Sequence, residues 1–286
     1  MVSSQAELTF TKPPEDFTGY RIDLENRVAL QADATPFLVS SSDYLAPPEI
    51  DPRGKVRHDK QLNMGSCQGF SLANCCEYLL LLAMRLKEYS GEHQFSSLYA
   101  YLESQRFDNL LGRDVGSTIG AGLKVAKDVG MLPERSLPYR IPYPANARSM
   151  VTDAMRSQAS TFKIRSFSWL KSYQQIFDYL ASGAGAVHTG TVWNNSFYAV
   201  NGVLENVSLN NGGGHATAWL GYSNRKDRSG RNYIWRLNSH NDSWTELSPT
   251  VVDRLCGHPY TAIVGISDMS TPGPRNIDWT KESVFA

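Results

Sequence analysis

The sequence predicts an α+β protein of two lobes, a helical one followed by a sheet-rich one. Three observations predict it. Apolar residues recur at helical spacing through residues 68–89, further helical patterns continue to residue 181, and from residue 186 onward short β-branched runs alternate with turn signals. The chain has 286 residues, 41% hydrophobic and 20% charged, enough for one large domain or two packed lobes around a sizeable core. Its formal net charge is zero and no basic block occurs, which argues against nucleic acid or an anionic membrane as the partner.

Taken in order, residues 1–45 mix polar residues with Pro13-Pro14 and Pro36, and read as an N-terminal arm with one strand near residues 20–23. Asp51-Pro52-Arg53-Gly54 is a turn signal. In the helix expected over 68–89, Phe70, Leu72, Ala73, Cys76, Leu79, Leu80 and Ala83 form a stripe that Leu81 and Leu82 widen, so the helix should be buried on most faces. Its most apolar run, residues 78–84, is far short of the ~20 residues that cross a bilayer. Gly91 is its stop signal. Further helices are expected over 96–107, over 118–129 (closed by Gly130 and Pro133), over 149–159, and over 169–181 (stopped by Gly183). Strands are expected over 186–192, 216–222, 233–237 and 261–266, with a hairpin tip at Asp227-Arg228-Ser229-Gly230. The organisation expected is an arm over 1–45, one domain over 46–267 with its lobes dividing near residue 145, and a tail over 268–286.

The four cysteines are Cys67, Cys75, Cys76 and Cys256, and none has the C-x-x-C spacing of a zinc or redox site. Residues 1–7 show neither a positive nor an apolar signal region, so free thiols in a reducing, cytoplasmic setting are expected. Cys67 stands apart because it lies where a loop enters the long apolar helix. Unpaired N–H groups at a helix N-terminus favour an anion, which biases a thiol there towards the reactive thiolate. Gln61, in the loop upstream, carries an amide that can join the Cys67 N–H in binding an oxyanion. A buried structural cysteine at a helix start fits Cys67, taken alone, equally well. His215 follows Gly212-Gly213-Gly214 and precedes a strand that would hold it, and an imidazole can exchange the thiol proton. Asn238 at the end of the 233–237 strand can hold the other ring nitrogen. His58, His93, His188 and His258 have no partners at ligand spacing and read as solvated or locally bonded.

Gln61-x-x-x-Gly65-Ser66-Cys67-x-x-Phe70-Ser71 resembles the nucleophile motif of the papain-like cysteine peptidases. Gly214-His215-Ala216-x-Ala218-x-x-Gly221-Tyr222 resembles the segment carrying that family's histidine, and Asn238-Ser239 the segment carrying its asparagine, in the family's order. Gly116-Ser117-Thr118 is more weakly similar to its glycine-containing substrate-binding stretch. The resemblance implies a two-lobed papain-like fold, a Cys67–His215–Asn238 triad with Gln61 as oxyanion donor, and substrate contacts at Gly65, Ser66, Gly116, Ser117 and Gly214. It implies a peptide or protein substrate and requires no metal or organic cofactor. The same resemblance leaves open an inactive binding or virion/structural module, and acyl transfer or deamidation by the same triad.

The chain departs from the family's pattern at named positions. Gln68 replaces the tryptophan after the nucleophile, and Met64 replaces a cysteine, so the disulfide of secreted members cannot form. His240-Asn241 stands where the family has Trp-Gly, which makes Asn241 an alternative orienter and leaves Trp244 as a candidate shield for the histidine. Residues 1 to about 40 are expected to pack along the surface or across the cleft, as an arm or short pro-like segment.

Overall fold

The computed structural model describes residues 19–23, 27–37, 44–85, 91, 93–240 and 244–271. The arm enters as a short strand, β1 (Tyr20–Arg21), and a one-and-a-half-turn helix, α1 (Arg27–Ala32). The apolar helix is α2 (Cys67–Arg85), starting at the nucleophile candidate itself. The Ser66 carbonyl accepts its first helical bond, from Phe70 N–H at 3.1 Å. Next come α3 (Ser97–Phe107), β2 (Ser117–Thr118) and α4 (Ile119–Lys124), the last extended by a π-type turn over Val125–Val129. Ser96 and Thr118 cap α3 and α4, each hydroxyl accepting an N–H three residues on. Two short helices, α5 (Ala147–Met150) and α6 (Asp153–Ala159), close the helical half.

The second half is built of β3 (Ile164–Trp169), α7 (Tyr173–Ala181), β4 (Ala186–Trp193), β5 (Val203–Leu204), β6 (Gly213–Lys226), β7 (Asn232–Leu237), β8 (Trp244–Leu247), α8 (Pro249–Cys256) and β9 (Ala262–Met269). Its seven strands lie in the order β3-β9-β4-β6-β7-β8-β5, antiparallel except at β5–β8. The architecture is therefore the two-lobed α+β arrangement read from the sequence.

Alternation along β6 divides the core. Ala216, Ala218 and Leu220 join the cluster around α2, whereas Trp219 joins the cluster under α7 and α8 on the other face. α2 packs against α3 on one side and against β4, β6 and β9 on the other, which explains why it is apolar almost all round. It is long and apolar enough to cross a membrane by composition, but 83% of it is buried inside the fold, as a core helix is.

Several local expectations are corrected. Residues 164–169 form a strand, and the helix expected from 169 begins only after Ser172, whose side chain caps it. The β6 strand starts at Gly213, so His215 sits inside it rather than in a loop before it. β8 and α8 were not expected, although Ser248-Pro249 followed by Val251, Val252 and Leu255 carries a cap, a first-turn proline and helical spacing.

Leu80, fully buried on α2, tests this packing. Leu80→Ala should lower the unfolding free energy by about 2–5 kcal/mol in a denaturant titration. Leu45→Ala, at a position 90% exposed, should change it by less than about 0.5 kcal/mol.

Candidate active site

Three chain segments converge on Cys67. The first is β6, where Ala216 N–H donates to Cys67 Sγ at 3.3 Å, which brings the strand that carries His215 against the thiol. The second is the end of β7. His215 Nε2 and Asn238 Oδ1 lie 2.8 Å apart, which makes Nε2 the protonated nitrogen of the neutral ring, since an amide oxygen only accepts, and leaves Nδ1 without a proton. The His240 N–H donates to the same Asn238 oxygen at 3.2 Å. Asn238 is thus the side chain brought to His215, and Asn241 falls outside the described residues.

The third segment is the loop before α2. Gln61 N–H donates to the Ser239 carbonyl at 2.9 Å, and Ser239 Oγ donates to Gln61 Oε1 at 2.7 Å. This pair straps the loop to the turn after Asn238. Gln61 Nε2 donates one of its two hydrogens to the Met64 carbonyl at 2.8 Å. Ser66 Oγ and Tyr139 hydroxyl are 2.8 Å apart, and that hydroxyl donates to the Gln61 carbonyl at 2.6 Å. The aromatic cover of His215 comes from Trp193, with ring centroids 4.3 Å apart, and from His240 at 4.1 Å. Trp244, considered for that part from the sequence, instead pairs with Leu237 in β8.

The arm lies in the cleft. β1 pairs with β2 in parallel, Tyr20 opposite Ser117, and Ser117 N–H donates to the Gly19 carbonyl at 2.9 Å. The fit leaves no spare volume. Gly116 holds a φ of +78°, and a Cβ on it would lie 1.9 Å from the Gly19 oxygen; one on Gly214 would lie 1.9 Å from the Tyr20 oxygen. The Tyr20 ring and the Ile119 side chain cover Gly190, and an open pocket remains beside Tyr20 between Leu30, Trp169, Tyr260 and Ala262. Ser117 Oγ donates to Gln68 Oε1 at 2.9 Å, so the residue in the tryptophan's place is joined to the cleft wall. Gly65, Ser66, Gly116, Ser117 and Gly214, all singled out in the sequence, are gathered here around the thiol and the arm.

Burial reverses the electrostatic expectation for Cys67. The helix N-terminus and the N–H groups of Ala216, Gln68 and Tyr20 favour the thiolate, but complete burial outweighs them and pushes the thiol up to about 12. Burial, with His240 and Arg236 nearby, holds His215 well below the usual imidazole range, against the pull of Asn238. With the arm in place both partners are neutral at pH 7. Among the described residues, no group of three or more His, Cys, Asp or Glu side chains could hold a metal ion. Of the remaining histidines, His188 is bonded to Ser71 at 2.7 Å, in keeping with a local structural part.

No protein-family model matches this sequence, and no curated protein matches it in sequence. Solved structures do match it in three dimensions. Xylellain, a cysteine protease from Xylella fastidiosa, superposes with a TM-score of 0.71 at 20% identity, covering 90% of this chain and 98% of xylellain. A procathepsin B from Trypanosoma congolense gives 0.61 at 13% identity, over 89% of this chain and 87% of its own. Digestive procathepsin L 3 from the larval midgut of Tenebrio molitor gives 0.58 at 18%, over 89% and 77%. The fold is that of the papain-like cysteine proteases.

Within this papain-like fold, sequence reasoning reached Cys67, His215, Asn238 and Gln61 and missed Tyr20, Trp193, Ser239 and Asp114. Trp193 ends a strand that the sequence predicts, but no sequence signal ties it to His215; the β4–β6 pairing brings it opposite Gly213. Tyr20 gave none beyond the short strand around it.

The neutral, covered thiol has a measurable consequence. Alkylation of Cys67 by iodoacetamide in the intact chain should be slow at pH 7 and rise about tenfold per pH unit towards the thiol's high pKa, read as the Cys67 adduct by peptide mass spectrometry. A Cβ on Gly19 would lie 2.7 Å from Cys67 Sγ and 3.1 Å from the Gly214 oxygen. Gly19→Val should therefore unseat the arm and accelerate the pH 7 reaction.

Proposed function

We propose that this protein is a cysteine peptidase that hydrolyses peptide or protein amide bonds with Cys67, His215, Asn238 and Gln61. The observation that carries the reading is the convergence of thiol, imidazole and orienting amide: Ala216 N–H on Cys67 Sγ, and Asn238 Oδ1 on His215 Nε2, which leaves Nδ1 for the thiol proton. Once the arm leaves, water re-enters and the desolvation that keeps Cys67 and His215 neutral is relieved, so the proton passes from Sγ to His215 Nδ1. The thiolate then attacks the amide carbonyl. Its carbonyl oxygen becomes an oxyanion held by the Cys67 N–H and the Gln61 amide. His215 returns the proton to the leaving amine, and a water deprotonated by His215 hydrolyses the acyl-enzyme. The chemistry requires no cofactor.

In this reading Gly19–Arg21 form a pro-like segment that blocks the groove. Two of the three structures named above are procathepsins, and the arm here is bonded to Ser117 and closes over the thiol. The four unpaired cysteines support a reducing compartment such as the cytoplasm. A second reading, an inactive binding module on the same fold, draws on the complete burial of Cys67 and the turn of Gln61 Nε2 towards Met64.

An epoxide-type thiol inhibitor separates the two. Modification confined to Cys67 and lost in His215→Ala is expected; an inert Cys67 in the reduced, native Gly19→Val variant would sink the peptidase reading. On a fluorogenic peptide library, His215→Ala should lower kcat/KM by about 10²–10⁴-fold, and Asn238→Ala by less. Adding a competing amine and analysing products distinguishes hydrolysis from acyl transfer.

A further inference from the structure

The arm lies between the Gly116–Ser117 wall and Gly214 of β6, and one carboxylate joins that wall to the Gly65–Ser66 loop just ahead of the nucleophile. Asp114 Oδ1 accepts the Gly65 N–H at 2.9 Å and the Tyr101 hydroxyl at 2.7 Å. The oxygen of that hydroxyl accepts the Gly116 N–H at 3.0 Å, completing a relay from the nucleophile loop to the wall. Gln105 braces the relay from behind, its amide nitrogen lying 2.9 Å from the Tyr101 hydroxyl, 2.7 Å from the Arg113 carbonyl and 3.2 Å from the Gly116 carbonyl. Tyr143 fixes the other end of that amide by donating to Gln105 Oε1 at 2.7 Å. The Tyr101–Gly116 and Gln105–Tyr101 bonds are buried and shielded from water, while the two half-buried bonds to Asp114 gain from its carboxylate acceptor.

The dimension held by this relay is the one that matters for a peptide in the groove. Gly116 stands so close to the chain lying there that even a methyl group would meet the Gly19 oxygen at 1.9 Å, while Ser117 N–H reaches the same oxygen at 2.9 Å. A wall displaced outward by 1 Å would stretch that bond beyond hydrogen-bonding range. Met64 rules out a covalent tie from the position where the sequence resemblance expects one. Non-covalent ties stand there instead, Asp114 at Gly65 and the Ser117–Gln68 bond one step further along.

We propose that Asp114 is a positioning residue, which through Gly65 and Tyr101–Gly116 sets where the Gly116–Ser117 wall stands relative to the nucleophile loop and so the placement of a peptide backbone over Cys67. The proposal rests on the peptidase reading above. It predicts that Asp114 affects reagents that must lie in the groove and spares those that only need to reach the sulfur.

The test uses the full chain and compares two rates at Cys67: alkylation by iodoacetamide, which makes no groove contacts, and alkylation by an epoxysuccinyl dipeptide, which lies along it. Both need the arm to leave, so their ratio cancels that step. A misfolded fraction exposes the thiol and alkylates in a separate fast phase, so the ratio is taken from the slow phase of the folded protein. Asp114→Ala should lower the epoxide-to-iodoacetamide ratio by about tenfold or more. Tyr101→Phe, which breaks the relay while keeping the carboxylate, should lower it in the same direction. Asp114→Asn, whose amide oxygen can accept the same two bonds, should stay within about threefold of the wild-type ratio. An unchanged ratio in Asp114→Ala, or an Asp114→Asn ratio as low as that of Asp114→Ala, overturns the proposal and leaves the peptidase reading standing. Wild-type Cys67 that reacts with iodoacetamide and never with the epoxide overturns the peptidase reading, and this proposal with it.

Discussion

The site exists because two neighbouring strands part company. β6 and β7 pair as far as Ala218 opposite Leu237, and there the ladder stops. β6 continues towards its N-terminus with only β4 beside it, Thr191 opposite His215, so its free edge faces the start of α2. The N–H of Ala216, which a further strand would have claimed, is available to the Cys67 sulfur. β7 ends at Leu237, and the released Asn238 bridges the gap to His215. Small residues make the approach possible: Ala216 and Ala218 are what β6 presents to the helix. Helix position, thiol position and imidazole orientation are all consequences of one interrupted pairing.

Two opposing effects act on the thiol, and their balance depends on solvent. The end of α2 and the surrounding N–H groups favour charge on sulfur. Removal from water disfavours it, and with Gly19 and Tyr20 in the cleft the second effect prevails. With Gly19 against the sulfur and Tyr20 beside it, burial rather than any modification of Cys67 keeps the thiol protonated.

The features legible in the sequence were those set by local pattern. The spacing of Phe70, Leu72, Leu79 and Leu80 marked α2, and the ordered set of Cys67, His215 and Asn238 marked the residues that converge. Features made by distant contacts were not legible. Nothing near Trp193 in sequence says that its ring will lie on His215, and nothing near Asp114 says that it will reach Gly65, 49 residues away. The strand over Ile164–Trp169 is half-exposed along its length and gave too weak an alternation to be told from the start of a helix. α8 differs, since its cap, proline and spacing were present and were passed over.

The segment in the cleft is not a separate molecule. It is held by chain on its C-terminal side: Thr35 N–H bonds the Phe167 carbonyl, and Ile50 forms a bridge to Tyr222 on the back of the sheet. Tethering of this kind turns occupancy into an intramolecular equilibrium, with an effective concentration set by the geometry of the connection rather than by the amount of protein. Dilution does not empty the cleft, and crowding with other copies of the chain does not fill it further. Whatever displaces Gly19–Arg21 has either to bind far more tightly than the tethered strand or to be present at comparable local concentration, and cutting the tether would remove that advantage at once.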